Sequence, residues 1–190
     1  MDKIIFLDFD GVLSSSKSRW NFEDKKVELI KRITEATEAK IVIISTLRLF
    51  CPTTDEVIDT YSSKSLSKES REWLKSNIIG VTDDEGNTRG EEIQRYIDKH
   101  EVKDYVIIDD CTDFLDNQLF NHVQIDFVEG ITEREVDLAI QVLNNESITN
   151  PIRLNLELNA RWRINTLNIP GYKTNIEMLL MEYKNKFRAD

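Results

Sequence analysis

The chain has 190 residues, 40% of them hydrophobic and 32% charged, with a net charge of −10. This is the balance of a globular domain with a highly charged surface, and the length suits one well-buried domain plus an appendage. No apolar run approaches the roughly 20 residues of a bilayer-spanning helix, and the acidity argues against a broad electrostatic grip on nucleic acid. Two histidines give little support to histidine-rich metal sites or a histidine-centred hydrolase. Cys51 and Cys111 form no metal or redox spacing and read as reduced thiols. The first strand begins at once, leaving no room for a signal peptide, so the expected location is cytoplasmic.

Residues 4–7 are four consecutive apolar side chains and predict a strand buried on both faces. Asp8, Asp10 and Gly11 follow. A carboxylate at the carboxyl end of a buried parallel strand projects into the crevice where open α/β sheets bind ligands, and Gly11 supplies the freedom for a sharp turn. An Asp/Gly turn without chemistry is the alternative. A polar stretch over 14–21 contains Trp20. Asn21 is then placed to cap a helix to about Thr37, with Val27, Ile30, Ile33 and Ala36 inward.

Residues 41–44 form a second apolar strand, ending in Ser45 and Thr46. Residues 47–66, with Pro52 and many hydroxyls, are expected to be irregular. A short helix over 67–75 turns Trp73 and Leu74 inward, and 78–81 is a weak third strand. After a polar turn at 83–88, Arg89 and Gly90 open a helix to about Lys99, with Ile93, Tyr96 and Ile97 inward. Residues 105–108 are another apolar strand, ending in Asp109 and Asp110, and 122–127 is a shorter one. Thr132 and Glu135 form a capping box for a helix to about Leu143, with Val136, Ile140 and Leu143 on one side.

Strands that alternate with helices, and that are apolar runs rather than alternating ones, predict an α/β fold with a mostly parallel sheet between helices. Beyond residue 150 the rhythm breaks. Leu154, Leu156 and Leu158 alternate with polar residues, Pro170-Gly171 marks a turn, and 175–187 has helical spacing. Residues from Ser147 onward carry a net +3, leaving −13 for the rest. The expected organisation is a catalytic domain over 1–146 and a C-terminal extension over 147–190. That extension would pack on the core or on another subunit, as a homo-oligomer.

Three apolar strands therefore end in polar residues: Asp8 with Asp10, Ser45 with Thr46, and Asp109 with Asp110. In a parallel sheet these ends face one crevice. Carboxylates gathered in one dry site repel each other unless a cation is present, and Mg²⁺ is the natural candidate. A hydroxyl and the Arg89 guanidinium suit phosphate oxygens, so the set reads as phosphoryl transfer.

This four-part pattern resembles the haloacid dehalogenase (HAD) superfamily of phosphohydrolases over residues 1 to about 145. The matching parts are the Asp8-Phe9-Asp10-Gly11 run after a hydrophobic strand, the strand ending in Ser45, the basic Arg89 opening a helix, and the Asp109-Asp110 pair. More narrowly, Ser45-Thr46-Leu47-Arg48, Gly80-Val81-Thr82 and 89–93 resemble the HAD domain associated with Swiss-Army-knife RNA repair proteins. The superfamily more often has lysine where Arg89 stands.

The resemblance implies a Rossmann-like HAD fold with minimal or no cap. It makes Asp8 the nucleophile that forms an aspartyl-phosphate and Asp10 the general acid/base. Asp8, the Asp10 carbonyl and Asp109 would hold Mg²⁺, with Asp110 or Asp113 acting through water. Ser45, with Thr46 beside it, and Arg89 would bind the phosphoryl group, and Arg48 is a candidate substrate contact. An acid/base at Asp10 fits hydrolysis rather than phosphonate or halide chemistry.

The loops at 13–21 and 83–88 are too short to fold as caps, and the resemblance to minimally capped relatives then implies a large substrate such as a nucleic-acid end or a phosphoprotein; a nucleotide or nucleic-acid-end phosphate is the expected one. The alternatives are a small-metabolite or phosphoprotein phosphatase, or a HAD-fold module that binds a phosphorylated ligand without turnover. Trp20 and Trp162 are read as packing residues, with base stacking as the alternative.

Overall fold

The computed structural model describes residues 3–51, 53–85 and 88–145. Five strands form one all-parallel sheet: β1 (Ile4–Leu7), β2 (Lys40–Ile43), β3 (Ile78–Val81), β4 (Tyr105–Asp109) and β5 (His122–Gln124), in the order β3-β2-β1-β4-β5. The helices are α1 (Asp24–Thr37), α2 (Thr54–Ser62), α3 (Lys68–Asn77), α4 (Arg89–His100) and α5 (Glu133–Leu143). The expected α/β, Rossmann-like architecture is present. The proposed C-terminal extension, including Trp162, lies outside the described residues.

The apolar runs follow from coverage on both faces of the sheet. Ile5, Leu7, Ile41, Ile43, Val106 and Ile108 pack beneath α1, α2, α3 and α5. Ile4, Phe6, Val42, Ile44 and Ile107 face Ile93, Tyr96 and Ile97 of α4. Each fully buried side chain of this size contributes about 1.5–3 kcal/mol through removal from water. Phe6 also makes edge-to-face contacts with Tyr96 and Tyr105, at centroid distances of 5.6 and 5.7 Å.

Several local expectations need correcting. Helix α1 starts after Glu23, not Asn21, and Ala36 is exposed while Thr37 is buried in its place. Residues 47–66 are not irregular: they hold a 3-10 turn at Thr46–Phe50 and helix α2. The signal for α2 was present in Thr53, whose hydroxyl accepts the Glu56 N–H at 3.2 Å, followed by Val57 and Ile58 on the buried face. Trp20 is 53% exposed and so is not a packing residue.

Register decides where the strands end. Leu7 lies opposite both Ile43 of β2 and Ile108 of β4, so residue 8 leaves the sheet beside residues 44 and 109. The chain order runs outward one way through β2 and β3, and the other way through β4 and β5. Beside β1 the direction of winding reverses, and loops from adjacent strands diverge there to open a crevice.

Candidate active site

Asp8 and Asp109 occupy adjacent strand ends in that crevice, and both are buried. The Asp8 N–H donates to the Ile108 carbonyl at 3.0 Å, which extends the strand pairing one residue into the site. Arg89, the first residue of α4, reaches across both acids. Its Nη1 donates to Asp109 Oδ2 and lies 3.4 Å from Asp8 Oδ2. Its Nη2 donates to the Thr46 hydroxyl at 3.3 Å. The Ser45 side chain lies beside the Asp8 carboxylate and favours its charged form. Asp109 Oδ1 accepts the Cys111 N–H at 2.7 Å, which fixes the carboxylate plane.

Asp10 and Asp110 complete the acidic group. The Ser14 hydroxyl donates to Asp10 Oδ1 at 3.1 Å. Gly11 has φ +80, and a Cβ there would lie 2.5 Å from Asp110 Cγ. The position thus needs glycine twice over, for the left-handed backbone and for the space that the Asp110 carboxyl fills.

Four carboxylates share this crevice with one guanidinium, and their proton affinities follow. Burial raises Asp8 above the ordinary carboxylate range, against Arg89, Ser45 and the Phe9 N–H, which lower it. Burial and then the charge of Asp8 raise Asp109, with Arg89 opposing. Burial, reinforced by Asp8, pushes Asp110 up to about 6. Burial by itself lowers Arg89, but Asp109 and Asp8 outweigh it and hold the guanidinium firmly charged. The site is therefore short of positive charge.

That deficit is the test of fit for a divalent cation. Carboxylate oxygens are hard donors of the kind Mg²⁺ takes. Donor atoms of Asp109, Asp110 and Cys111 lie within 4.8 Å of one another. Cys111 is the odd member, a soft donor that sequence reading took for an incidental thiol. Burial, with Asp109 next, pushes it up to about 12, so it stays a neutral thiol at pH 7. Asp109 and Asp110 are the hard donors of that group, and Asp8 stands at the adjacent strand end.

Two expected site residues have other partners. Asp113 receives the Arg89 N–H on Oδ2 at 3.2 Å and the Gly90 N–H on its carbonyl at 3.1 Å. It caps the first turn of α4, and it is not in the donor cluster found among the described residues. Arg48 was expected to contact substrate. Instead it is buried, with its five N–H groups given to the carbonyls of Ile44, Ser45, Thr82 and Asp83 and to Glu92 Oε2. Ser14 and Glu92 are the residues that sequence reading missed. Ser14 had a short-range signal, four residues after Asp10. Glu92 falls in the 89–93 stretch of the narrower resemblance, and an acid in a first helical turn carries no more particular signal.

Residues 4–136 match the family described as the HAD domain in Swiss Army Knife RNA repair proteins. Comparisons with curated proteins and with solved structures gave no match. The matched span runs from β1 into α5 and takes in all five described strands, so the chain belongs to the HAD domain family of Swiss Army Knife RNA repair proteins.

Proposed function

We propose that the protein is a Mg²⁺-dependent phosphomonoesterase that works through an aspartyl-phosphate on Asp8, with a nucleotide or nucleic-acid-end phosphate as substrate. The observation that carries this reading is the meeting of Asp8, Asp109, Ser45 and Arg89 at one strand-end crevice. A bound Mg²⁺ would be held by Asp8, Asp109 and Asp110, and would supply the positive charge that the acids and a phosphoryl group lack.

An oxygen of the Asp8 carboxylate attacks phosphorus, and the bond from phosphorus to the ester oxygen breaks. Asp10, oriented by Ser14, gives its proton to the departing oxygen. It then takes a proton from the water that attacks the aspartyl-phosphate, which releases inorganic phosphate, frees the Asp8 carboxylate and returns Asp10 to its protonated form. Arg89 and the Ser45 hydroxyl hold the equatorial phosphoryl oxygens, where charge builds.

Two observations favour a nucleotide or nucleic-acid end. The family description refers to RNA repair proteins. Trp20, Phe50 and Phe127 are all at least half exposed and sit on the loops that leave the carboxyl ends of β1, β2 and β5. Base stacking on such rings is worth about 1–3 kcal/mol per base.

The test is hydrolysis of p-nitrophenyl phosphate and of 3′- and 5′-phosphorylated oligonucleotides, with and without Mg²⁺. Asp8→Asn is expected to lose at least about 1,000-fold in kcat, the scale of removing a nucleophile. Activity that survives Asp8→Asn, or that ignores Mg²⁺, refutes the mechanism. A preference for phosphopeptides or sugar phosphates refutes the substrate class alone.

A further inference from the structure

Arg48 is sequestered from any substrate, yet it touches the two segments that present the phosphoryl-binding groups. Its Nη1 donates to the Ile44 and Ser45 carbonyls at 2.8 and 3.0 Å. These carbonyls belong to the peptide units on either side of Ser45, so the backbone that aims the Ser45 hydroxyl is held at both ends. Nε donates to the Thr82 carbonyl at 3.1 Å and Nη2 to the Asp83 carbonyl at 2.8 Å, tying down the exit from β3. Nη2 also meets Glu92 Oε2 at 2.6 Å, with side-chain exposures of only 4% and 13%.

Glu92 lies three residues beyond Arg89 in the first turn of α4. Side chains at that spacing share one face of a helix, so the ion pair fixes the rotation of the turn that carries Arg89. The fork of Arg48 thereby links the end of β2, the end of β3 and the start of α4.

We infer that Arg48, clamped to Glu92, is a positioning residue that sets the Ser45 hydroxyl and the Arg89 guanidinium at the separation one phosphoryl group requires. The inference rests on the proposed phosphatase reading. The chemistry calls for arginine: a planar guanidinium offers five N–H groups in a fixed fork, whereas lysine offers three on a single rotating nitrogen.

The test uses full-length Arg48→Lys, Glu92→Gln and the double variant, with folding checked by circular dichroism and thermal melting. Each single variant is expected to lower kcat by about 10- to 100-fold, the scale on which a displacement of about 1 Å acts. KM for p-nitrophenyl phosphate and inhibition by inorganic phosphate should stay within about threefold of wild type. The double variant should be no more than about threefold worse than the poorer single, because the pair acts as one unit. A kcat loss below about threefold overturns the inference. So does a tenfold weakening of phosphate inhibition, the mark of a direct contact.

Hydrogen exchange gives a readout that needs no turnover. Glu92→Gln should loosen the segments at 44–48 and 82–92 together and leave β4 unchanged. If 44–48 keeps its protection, the clamp does not exist. If wild type hydrolyses nothing, the phosphatase reading fails, and the exchange result still decides the clamp.

Discussion

Gly90 sets two physical effects against each other, so its replacement by alanine tests the packing around the start of α4. On propensity, Gly90→Ala should stabilise a helix by up to about 1 kcal/mol. On packing, the new methyl would lie 2.5 Å from Leu115 N, 2.8 Å from Phe114 Cα and 2.9 Å from Gln118 Oε1. Two of those neighbours are main chain and have no alternative rotamer, so overpacking belongs in the upper half of its usual range, about 2–3 kcal/mol. The backbone of Gly90 is also held by its N–H to the Asp113 carbonyl at 3.1 Å and by Gln118 Nε2 to its own carbonyl at 2.9 Å. Losing one of these bonds costs about 1 kcal/mol.

The balance is a net loss of about 2–3 kcal/mol. For a chain of this size that lowers Tm by roughly 5–10 °C. Because Arg89 is the neighbouring residue, kcat should fall as well, by up to about 100-fold if the guanidinium moves by about 1 Å. The assays are thermal and urea unfolding, followed by p-nitrophenyl phosphate turnover. Gly80→Ala is the control, since its Cβ would meet only the Tyr96 side chain, at 3.4 Å or more; it should stay within about 1 kcal/mol of wild type. A Gly90→Ala protein as stable as wild type, or more so, refutes the packing argument.

Two further outcomes follow from the site and the sheet. Mg²⁺ at about 100 times its Kd should stabilise the protein by about 2.7 kcal/mol, a rise in Tm of roughly 5–10 °C. Asp109→Asn should remove that rise, and a wild-type Tm indifferent to Mg²⁺ would refute the metal assignment. Burial pushes Tyr105 up to about 12, so the folded protein holds the phenolic proton more tightly than the unfolded chain does. Its contribution is therefore complete below the ordinary tyrosine value and declines as pH rises from about 10 to 12, by at most about 2–3 kcal/mol. Comparing urea unfolding of wild type and Tyr105→Phe at pH 8 and pH 11 checks this; equal alkaline losses in both would refute it.

Much of the site was legible because its signals are local. Ile4 to Leu7 and Tyr105 to Ile108 declare strands covered on both faces, and the acids that follow them sit where such strands must end. Thr132 with Glu135 announced α5 in the same way. Helix α2 was lost to its serine- and threonine-rich surroundings, although Thr53 caps it in the usual manner. Asn21 has the side chain of a good capping residue, but the structure starts the helix at Asp24, after Glu23, with no side-chain cap bond at all.

By itself, the chain's pattern of apolar runs and strand-terminal acids determined a parallel α/β sheet and a carboxylate-rich crevice, because both depend on neighbours a few residues apart. Only the tertiary structure decided which charged groups face that crevice. Arg48 and Asp113 have the residue types of site groups, but Arg48 has partners 34, 35 and 44 positions away in the chain as well as the nearby Ile44 and Ser45 carbonyls, and the Asp113 carboxylate has its partner 24 positions away. Strand register and the seating of α4 bring those partners within reach, and they turn one residue into a clamp and the other into a helix cap. A polar side chain's role is set by which donors and acceptors enclose it, and in this protein that enclosure is assembled from separate segments of the chain.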